Sequence, residues 1–425
     1  MQGKTAASEQ PRPPASAAVL PFAEARRRVE QAAAHLHPTE IELLELLLCS
    51  RRVLAEKVVA DRDFPPFPRS ARDGYALRAA DLASLPARLK VVGEVRAGQS
   101  PGGRVAAGEA VEIMTGAPAP EGADAVVMVE YTTRQGDMVE VQRAVASGDN
   151  IVPRGVEARK SDVLLERGAR LTPAAMALAA SVGCTQLHVH ARPRVAILAT
   201  GDELVDVAAE PAPSQIRNSN SYSLAAQVEA AGGQAVILPI APDEPRQLRH
   251  LMEEGLSADL LLLAGGVSAG KHDLVEPVLS ELGAEFVFTG ALIQPGRPVV
   301  FGRASARSGA QPTPFFGLPG NPVSTLVTFE LFARVVLEAL AGEPPHRLAF
   351  VQAKLKSEVR VHAGLTRFLP ARLSGEFENS EVELVRWQGS GDMASTARAN
   401  CFLVVPPDRD VLKTGELVSL LPGRI

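Results

Sequence analysis

The residues best suited to chemistry in this chain are small, polar or acidic, and they follow short apolar runs. After the unbroken apolar run 260–264 come Gly265, Gly266, Ser268, Gly270 and Asp273. Other loops that follow apolar runs carry further candidate residues, which are Glu203, Asp243, Gln294, Arg297, Pro319, Asn321, Pro322 and Ser324. A glycine-rich turn after a buried strand presents backbone N–H groups that can bind an anion. The pattern therefore predicts a phosphate-bearing ligand.

The acidic residues in these segments indicate a divalent cation beside the phosphate. Glu203, Asp243 and Asp273 would repel an anionic ligand unless a cation lay between them. Mg²⁺ commonly binds one or two carboxylates together with phosphate oxygens. A helix predicted to start at Asn321, with Pro322 as its first residue, would add the positive pole of a helix N-terminus. Together these features predict a Mg²⁺-phosphate site.

Each of these segments also has a purely structural interpretation. Glycine turns after strands are common, Glu203 could lie on the surface, and Asp243 could only cap a helix that begins at Pro245. The segment 319–322 could be no more than the stiff start of a helix. Neither a dinucleotide-binding G-x-G-x-x-G after the first strand nor a Walker A sequence is present, so the pattern alone does not name the ligand.

The phosphate-site residues fall where predicted strands and helices alternate. Strands are predicted at 194–200, 235–240, 260–264, 285–288 and 315–318, and helices at 222–231, 245–255, 274–282 and 322–341. This alternation predicts a parallel sheet with helices on both faces, a three-layer α/β domain. Because the loops at the carboxyl ends of parallel strands meet at one sheet edge, their polar residues are expected to converge.

The rest of the chain divides into helical and β segments, so the fold class is α/β plus β in several domains. Helices are predicted at 21–31 and at 171–183, the second with Thr172 as its N-cap. The predicted boundaries are a disordered tail at 1–18, a helical domain split into 19–60 and 157–190, an inserted β domain at 61–156, the α/β domain at 191–343 and a C-terminal β domain at 344–425.

Two loops of the inserted β domain also carry polar residues. Ser70 and Asp73 follow the proline-rich segment 64–68, and Thr115 lies in a Pro/Gly-rich loop at 114–122. Prolines favour an extended and rigid path, so a stiff linker between domains is the structural alternative for the first segment.

Length, charge and cysteine content exclude several classes of protein. A chain of 425 residues is too long to fold around one hydrophobic core of ordinary size, so several domains are predicted. With 44 basic and 49 acidic side chains the net charge is −5, which argues against a general nucleic-acid binder. No apolar run reaches about 18 residues, so no membrane span is predicted. Three widely spaced cysteines predict free thiols in a reducing compartment, and hence a cytoplasmic protein.

Five of these motifs make the chain resemble the molybdopterin molybdotransferase family, the molybdenum-inserting enzymes of molybdenum cofactor synthesis, which include the E domain of gephyrin. The motifs, in family order, are Pro66-Phe67-x-x-Ser70-x-x-Asp73-Gly74-Tyr75-Ala76, Ile113-Met114-Thr115-Gly116-Ala117, Thr200-Gly201-Asp202-Glu203-Leu204, Gly265-Gly266-Val267-Ser268-x-Gly270-x-x-Asp273 and Gly317-Leu318-Pro319-Gly320-Asn321-Pro322-Val323-Ser324. The resemblance runs from about Pro21 to the C-terminus. It implies a Rossmann-like molybdopterin-binding domain, a split helical domain, an inserted β domain and a C-terminal β-barrel-like domain.

The resemblance also implies a reaction and its participants. Adenylylated molybdopterin and molybdate would be the substrates, and a Mg²⁺-dependent step would cleave the adenylyl phosphoanhydride, deliver molybdenum to the dithiolene and release AMP. An elongated homodimer is implied. A molybdopterin adenylyltransferase and chaperones of downstream molybdoenzymes would be protein partners.

The resemblance assigns roles to particular residues. The catalytic residues would be Asp73, Thr115, Glu203, Asp243 and Asp273. Asp243, Asp273 and Glu203 would bind Mg²⁺. Asp73 and Thr115 would complete the cleft of the facing subunit. The substrate-binding residues would be Ser70, Gly265, Gly266, Ser268, Gly270, Gln294, Arg297, Pro319, Asn321, Pro322, Ser324, Arg367, Ser390 and Ser395. The chain departs from the family pattern at Gln294, where a lysine is usual, and at Pro370, where an arginine is common.

Two other functions stay open at this point. A related α/β fold activates molybdopterin with ATP, so an adenylyltransferase is one alternative, although the β domains are not needed for that step. A non-catalytic molybdopterin-binding scaffold is the other, because the gephyrin E domain also binds receptor peptides. The full set of cleft carboxylates favours catalysis over a scaffold.

Overall fold

The computed structural model describes residues 18–100, 103–267, 273–305 and 311–423. The chain separates into two compact units. The first unit contains Met1–Leu43, Arg51–Ala55 and His188–Ile425, and the second contains Leu44–Ser50 and Glu56–Leu187. Ser268 and Gly270, and all but the last residue of the predicted tail, lie outside the described residues.

The first unit contains a six-stranded sheet. Its strand order is Gln234–Ile237, Arg194–Ala199, Leu260–Ala264, Thr313–Leu318, Val300–Ala304 and Glu285–Phe288. The first four strands are parallel to one another, as the sequence predicts. Val300–Ala304 runs antiparallel to both of its neighbours. The sheet is therefore mixed, and the prediction of a wholly parallel sheet is wrong at this edge.

Helices cover both faces of this sheet. Helices of the first unit are Phe22–Ala33, Asn220–Ala230, Pro245–Gly255, Val275–Glu281, Pro322–Thr328, Arg334–Leu340 and Met393–Thr396, and a π-helical segment, Phe329–Ala333, makes the run 322–340 continuous. Leu260 and Leu262 belong to one hydrophobic cluster, whereas Leu261 and Leu263 belong to another. Both faces of this strand are buried, which confirms the predicted three layers.

The N-terminal helix lies in the first of these clusters. Ala25 and Val29 are fully buried in the same core as Val335 and Val336, so Phe22–Ala33 packs against the α/β sheet's own helical layer. The other predicted helix, Pro173–Ser181, belongs to the second unit and is capped by Thr172, as predicted. The boundaries of a split helical domain stay a prediction.

Five strands near the C-terminus close into a barrel, which confirms the β-barrel-like fold. Their order is Thr366–Ser374, Glu381–Leu384, Val351–Leu355, Leu417–Pro422 and Cys401–Val405, and the last strand pairs with the first. Ile293–Gln294, from the α/β domain, adds to the barrel strand Thr366–Ser374 in parallel. The register places Gln294 opposite Arg367.

The second unit is built on another six-stranded sheet. Its strand order is Ala125–Met128, Gly74–Leu77, Glu109–Ile113, Ala87–Val95, Met138–Val141 and Thr132–Gln135. The strands that pair in two-stranded sheets are Val19–Leu20, Ile41–Glu45, Val58–Val59, Arg69–Ser70, Ile151–Val152, Val163–Leu165, Gln186–His190, Leu204–Val205, Ile216–Arg217, Gly290–Ala291, Val359–Arg360 and Val411–Leu412. Single 3₁₀ turns occur at Leu46–Cys49, Ala79–Leu82, Val129–Tyr131 and Phe377–Asn379.

Gly74 is predicted to tolerate no side chain, although its φ is ordinary for any residue. A Cβ built on Gly74 would overlap the backbone oxygen of Val127 in the neighbouring strand. Gly74→Ala is therefore expected to lower the free energy of unfolding by about 1–3 kcal/mol, the usual effect of overpacking. Urea unfolding followed by circular dichroism measures it.

The matched control is Gly93→Ala, in another strand of the same sheet. A Cβ on Gly93 would meet nothing within 4 Å. This variant is expected to change stability by less than about 1 kcal/mol. Equal losses in the two variants would show that the contact with Val127 is not the reason for glycine at position 74.

Candidate active site

A cleft of about 380 Å³ lies at the carboxyl ends of the parallel strands in the first unit. Loops that follow three strands, Arg194–Ala199, Leu260–Ala264 and Thr313–Leu318, form much of its wall. Of the predicted site residues, the structure brings together here Glu203, Gly265, Gly266, Pro319, Asn321 and Pro322. The loops meet because parallel strands direct their carboxyl ends to the same edge.

The glycine turn needs glycine at both positions. Gly265 has φ +102° and Gly266 has φ +65°, a region that disfavours side chains. A Cβ on Gly265 would also lie 2.9 Å from the backbone oxygen of Thr200. The N–H of Gly265 donates to Leu318 O at 3.0 Å and is already engaged in the sheet. The N–H of Gly266 donates to nothing in the described part of the chain, so this amide can face a ligand.

The turn into the helical run 322–340 provides further open amides. Asn321 occupies the predicted N-cap position, but its side chain makes no capping hydrogen bond. Within the described residues, the N–H groups of Gly320 and Asn321 donate to no other group. The N–H of Val323 is engaged, because it donates to Ser390 O at 3.0 Å. Two residues that line the cleft thus have backbone donors that are not engaged within the described residues, and such donors at a helix start favour an anion.

The three predicted metal-binding carboxylates do not all lie in the cleft. Glu203 lines it, whereas Asp243 and Asp273 are not among its lining residues. The backbone N–H of Asp243 donates to Asp202 Oδ1 at 3.0 Å. The half-buried Asp273 accepts from the N–H of Val275 through Oδ1 at 3.3 Å. Among the described residues, no group of three or more His, Cys, Asp or Glu side chains could hold a metal ion by itself.

The structural alternative for Asp243 is wrong. The helix Pro245–Gly255 is capped by Glu244, which accepts from the N–H groups of Arg246 and Gln247 at 3.0 and 2.9 Å. These backbone donors lower the pKa of Glu244 below its usual range. The exposed carboxylate of Asp243 is therefore not needed for capping.

The donor chemistry of these loops suits Mg²⁺ only if a ligand completes the site. The predicted donors are carboxylate oxygens, which Mg²⁺ prefers, and fewer than three of them come together in the described residues. Mg²⁺ usually keeps waters and substrate phosphates among its ligands rather than a full protein cage. Open amides beside Glu203 could hold such a phosphate.

In the second unit the two predicted polar loops lie together. The backbone N–H of Thr115 donates to Asp73 Oδ1 at 2.6 Å, and Ser70 accepts through its backbone oxygen from the N–H of Gly116 at 2.8 Å. The hydroxyl of Ser70 is buried and donates to Arg72 O. The Thr115 amide lowers the pKa of the Asp73 carboxyl, which therefore stays ionised at neutral pH.

The predicted residues of the C-terminal domain form two contacts. Arg367 is buried, and its Nε donates to Gln294 Oε1 at 2.7 Å; burial lowers the pKa of this guanidinium. Ser395 is also buried, and its hydroxyl lies 2.8 Å from Arg386 O and 2.7 Å from the Asp392 carboxylate. Of the remaining predicted residues, Arg297 is exposed and Ser324 is buried, and neither lines the cleft.

One segment of the cleft wall was not predicted from the sequence. Asn218, Ser219 and Asn220 line it, as does Thr200, which the motif 200–204 contains but which was not singled out as a site residue. The Asn-Ser-Asn run before a predicted helix is a typical N-cap signal and could have shown this helix start. Asn220 Nδ2 donates to Gly320 O at 2.7 Å and so joins two walls of the cleft.

Three family models match successive parts of the chain. Residues 20–183 match the family described as "MoeA N-terminal region (domain I and II)", residues 196–339 match "Probable molybdopterin binding domain", and residues 352–422 match "MoeA C-terminal region (domain IV)". A molybdopterin molybdenumtransferase of Haemophilus influenzae is 34% identical over 392 residues, which are 91% of this chain and 94% of that protein. Another, from Bacillus subtilis, is 34% identical over 413 residues, 95% of this chain and 94% of that protein.

The chain belongs to the molybdopterin molybdenumtransferase family. A solved structure of a molybdopterin biosynthesis MoeA protein from Pyrococcus horikoshii OT3 matches it with a TM-score of 0.75 and 29% identity, covering 95% of this chain and all of that one. The resemblance inferred from the five motifs is thereby confirmed.

One departure from the molybdopterin molybdenumtransferase pattern has a physical explanation. At position 294 the side-chain oxygen of Gln294 accepts from Arg367, whereas a lysine there would place a second positive charge beside a buried guanidinium. Nothing in the structure explains Pro370. In the part of the chain that the structure describes, no helix combines the length and apolar character needed to cross a membrane.

Proposed function

We propose that this protein inserts molybdenum from molybdate into adenylylated molybdopterin and releases AMP in a Mg²⁺-dependent step. The main observation in support is the cleft, in which residues with unengaged backbone amides and Glu203 lie together at the carboxyl edge of the sheet. The chain also matches a molybdopterin molybdenumtransferase over 91% of its length. We also propose a cytoplasmic homodimer. Cys49, Cys184 and Cys401, all within the described residues, form no disulfide bond, which supports a reducing compartment.

The open amides would hold the phosphate groups of the nucleotide. Gly266, Gly320 and Asn321 provide N–H donors on two loops that lie against each other, since a Cβ on Gly320 would be 3.6 Å from the Cα of Gly265. Cleavage of a phosphoanhydride depends on positioning and charge neutralisation more than on covalent help. Donors that are already oriented need no rearrangement as charge develops.

The carboxylates would hold Mg²⁺, which when bound neutralises charge on the phosphoanhydride. Glu203, Asp243 and Asp273 are the proposed ligands, together with phosphate oxygens of the substrate. Asp73 and Thr115 are proposed to act from the inserted β domain, where the lowered pKa of Asp73 keeps its carboxylate ionised at neutral pH. Molybdate is a tetrahedral oxyanion, and Ser268, Ser324 and Arg297 are its proposed contacts.

The decisive experiment measures AMP release by purified protein supplied with adenylylated molybdopterin, Mg²⁺ and molybdate. Release that depends on molybdate and on Mg²⁺ is the expected result, because metal insertion and anhydride cleavage are proposed to be coupled. A reaction without molybdate is the control.

Two other outcomes would replace the proposal. Consumption of ATP in the absence of adenylylated substrate would identify an adenylyltransferase. Tight binding of adenylylated molybdopterin without any AMP release would identify a scaffold, and Gln294 and Pro370 would then be the first positions to test, by replacement with lysine and arginine.

A further inference from the structure

Two polar atoms of the cleft have no hydrogen-bond partner among the described residues, although both are shielded from solvent. They are the side-chain carbonyl oxygen of Asn220 and the hydroxyl oxygen of Thr200, a residue that is only 5% exposed. Both residues line the cleft. Buried polar atoms in folded proteins are nearly always paired, so two unpaired atoms in one cleft indicate that a bound molecule pairs with them.

The contact made by the side-chain nitrogen of Asn220 determines which way its amide group is oriented. Its Nδ2 group donates to the backbone oxygen of Gly320 at 2.7 Å. Exchanging the nitrogen and oxygen would set two acceptors against each other, so the assignment is fixed by this contact. The unpaired atom of Asn220 is therefore an acceptor, which an N–H or O–H donor of a ligand can satisfy.

Both unpaired atoms lie close to the glycine turn. Gly320, the partner of Asn220, lies against Gly265, and the hydroxyl of Thr200 is 2.8 Å from the position that a Cβ of Gly266 would occupy. The open amide of Gly266 belongs to the same turn. A ligand whose phosphate is held at this turn would therefore carry its neighbouring neutral groups towards Asn220 and Thr200.

We propose that Asn220 is a specificity-determining residue whose side-chain oxygen accepts a hydrogen bond from a neutral amino or hydroxyl group on the nucleotide part of the ligand. The Thr200 hydroxyl is the second contact to that part. The inference rests on the proposed function for the presence of a nucleotide. It goes further by assigning recognition of a donor group to two residues that the phosphate site does not use.

The test measures binding of AMP and of three analogues by calorimetry. Purine riboside monophosphate lacks the amino group of adenine, and 2′-deoxy-AMP and 3′-deoxy-AMP each lack one ribose hydroxyl. We expect the analogue that lacks the group paired with Asn220 to bind the wild-type protein about tenfold more weakly than AMP does. A tenfold loss is the usual effect of removing one well-placed hydrogen bond. Asn220→Ala should bind AMP about tenfold more weakly and should no longer distinguish AMP from that analogue.

Thr200→Val provides an independent measurement. Valine keeps the shape of threonine and removes an unpaired hydroxyl, so the variant should melt at or above the wild-type temperature. Its affinity for AMP should nevertheless fall several-fold. Unchanged affinity in Thr200→Val would remove Thr200 from the proposal.

A purely structural role of Asn220 predicts a different pattern. If Asn220 only ties its helix to Gly320, Asn220→Ala would weaken AMP and all three analogues by the same factor, which would overturn the inference. Absence of AMP binding by the wild-type protein would overturn it too. The AMP-release assay is separate from these measurements, so failure of the proposed function would be recognised independently.

Discussion

Replacing Asp273 with asparagine is expected to lower molybdate-dependent AMP release by about a hundredfold or more, comparable to the loss of one main electrostatic contact in an active site. An amide is a much weaker ligand for Mg²⁺ than a carboxylate, so the phosphoanhydride would lose charge neutralisation. Asparagine can still accept the hydrogen bond that Asp273 receives from the N–H of Val275. The fold should therefore be retained, with unchanged circular dichroism and melting temperature.

Asp206→Asn is a matched control for this change. Asp206 is exposed and accepts from the N–H of Ala208, two residues later, at 2.9 Å, the same type of local contact that Asp273 makes. This variant should keep wild-type AMP release. Titration with Mg²⁺ adds a second measurement, because Asp273→Asn should need a higher Mg²⁺ concentration for its residual activity. Normal activity of Asp273→Asn would rule out Asp273 as a metal ligand.

Replacing Arg334 with leucine is expected to lower the free energy of unfolding by about 3–5 kcal/mol, because it leaves the buried carboxylate of Glu330 without its cation. The Arg334 side chain is 7% exposed and binds Glu330 through Nε at 2.6 Å and Nη2 at 2.9 Å, and its Nη1 lies 3.5 Å from Glu338. The two glutamate side chains are 10% and 5% exposed. Burial alone would lower the pKa of Arg334, but the hydrogen bonds that Arg334 donates to Glu330 and Glu338, together with the negative charges of both glutamates, outweigh burial and raise that pKa.

Two comparisons test the cause of this loss by urea unfolding. Arg249→Leu removes a partner of Glu253 at the same four-residue spacing, but these side chains are 39% and 42% exposed, so the loss should be about 0.5 kcal/mol or less. Replacing Arg334, Glu330 and Glu338 together with apolar residues should recover most of the stability, because no charge then stays buried. A small loss for Arg334→Leu, similar to that for Arg249→Leu, would contradict this explanation.

Local patterns predicted several elements to the residue. The strand Leu260–Ala264 follows from an unbroken apolar run, and the helix Pro245–Gly255 begins with proline and ends at glycine, as its sequence indicates. The helical run 322–340 is buried almost throughout, in agreement with its apolar residues on more than one face, which are typical of a buried helix. These features depend on residues within a few positions of one another, so the sequence alone contains the necessary information.

Other features depended on partners far away in the chain. The strand Val300–Ala304 contains Gly302, which weakens a strand pattern but leaves room for the ring of Phe315 on the neighbouring strand. Helix capping, the structural alternative for Asp243, is performed by its neighbour Glu244, whose carboxylate accepts from the first amides of the helix. Neither outcome follows from residue type and spacing.

The sequence by itself determined the family, the fold class and the loops that carry the candidate chemistry, because motifs, periodicity and turn residues are local. Only the tertiary structure decided which atoms are open to a ligand. Gln294 meets Arg367 across 73 positions and Asn220 meets Gly320 across 100, and these contacts determine which donors and acceptors are engaged and which are left unpaired. Such pairings arise when the sheet and the barrel bring distant segments together, so no local pattern can specify them.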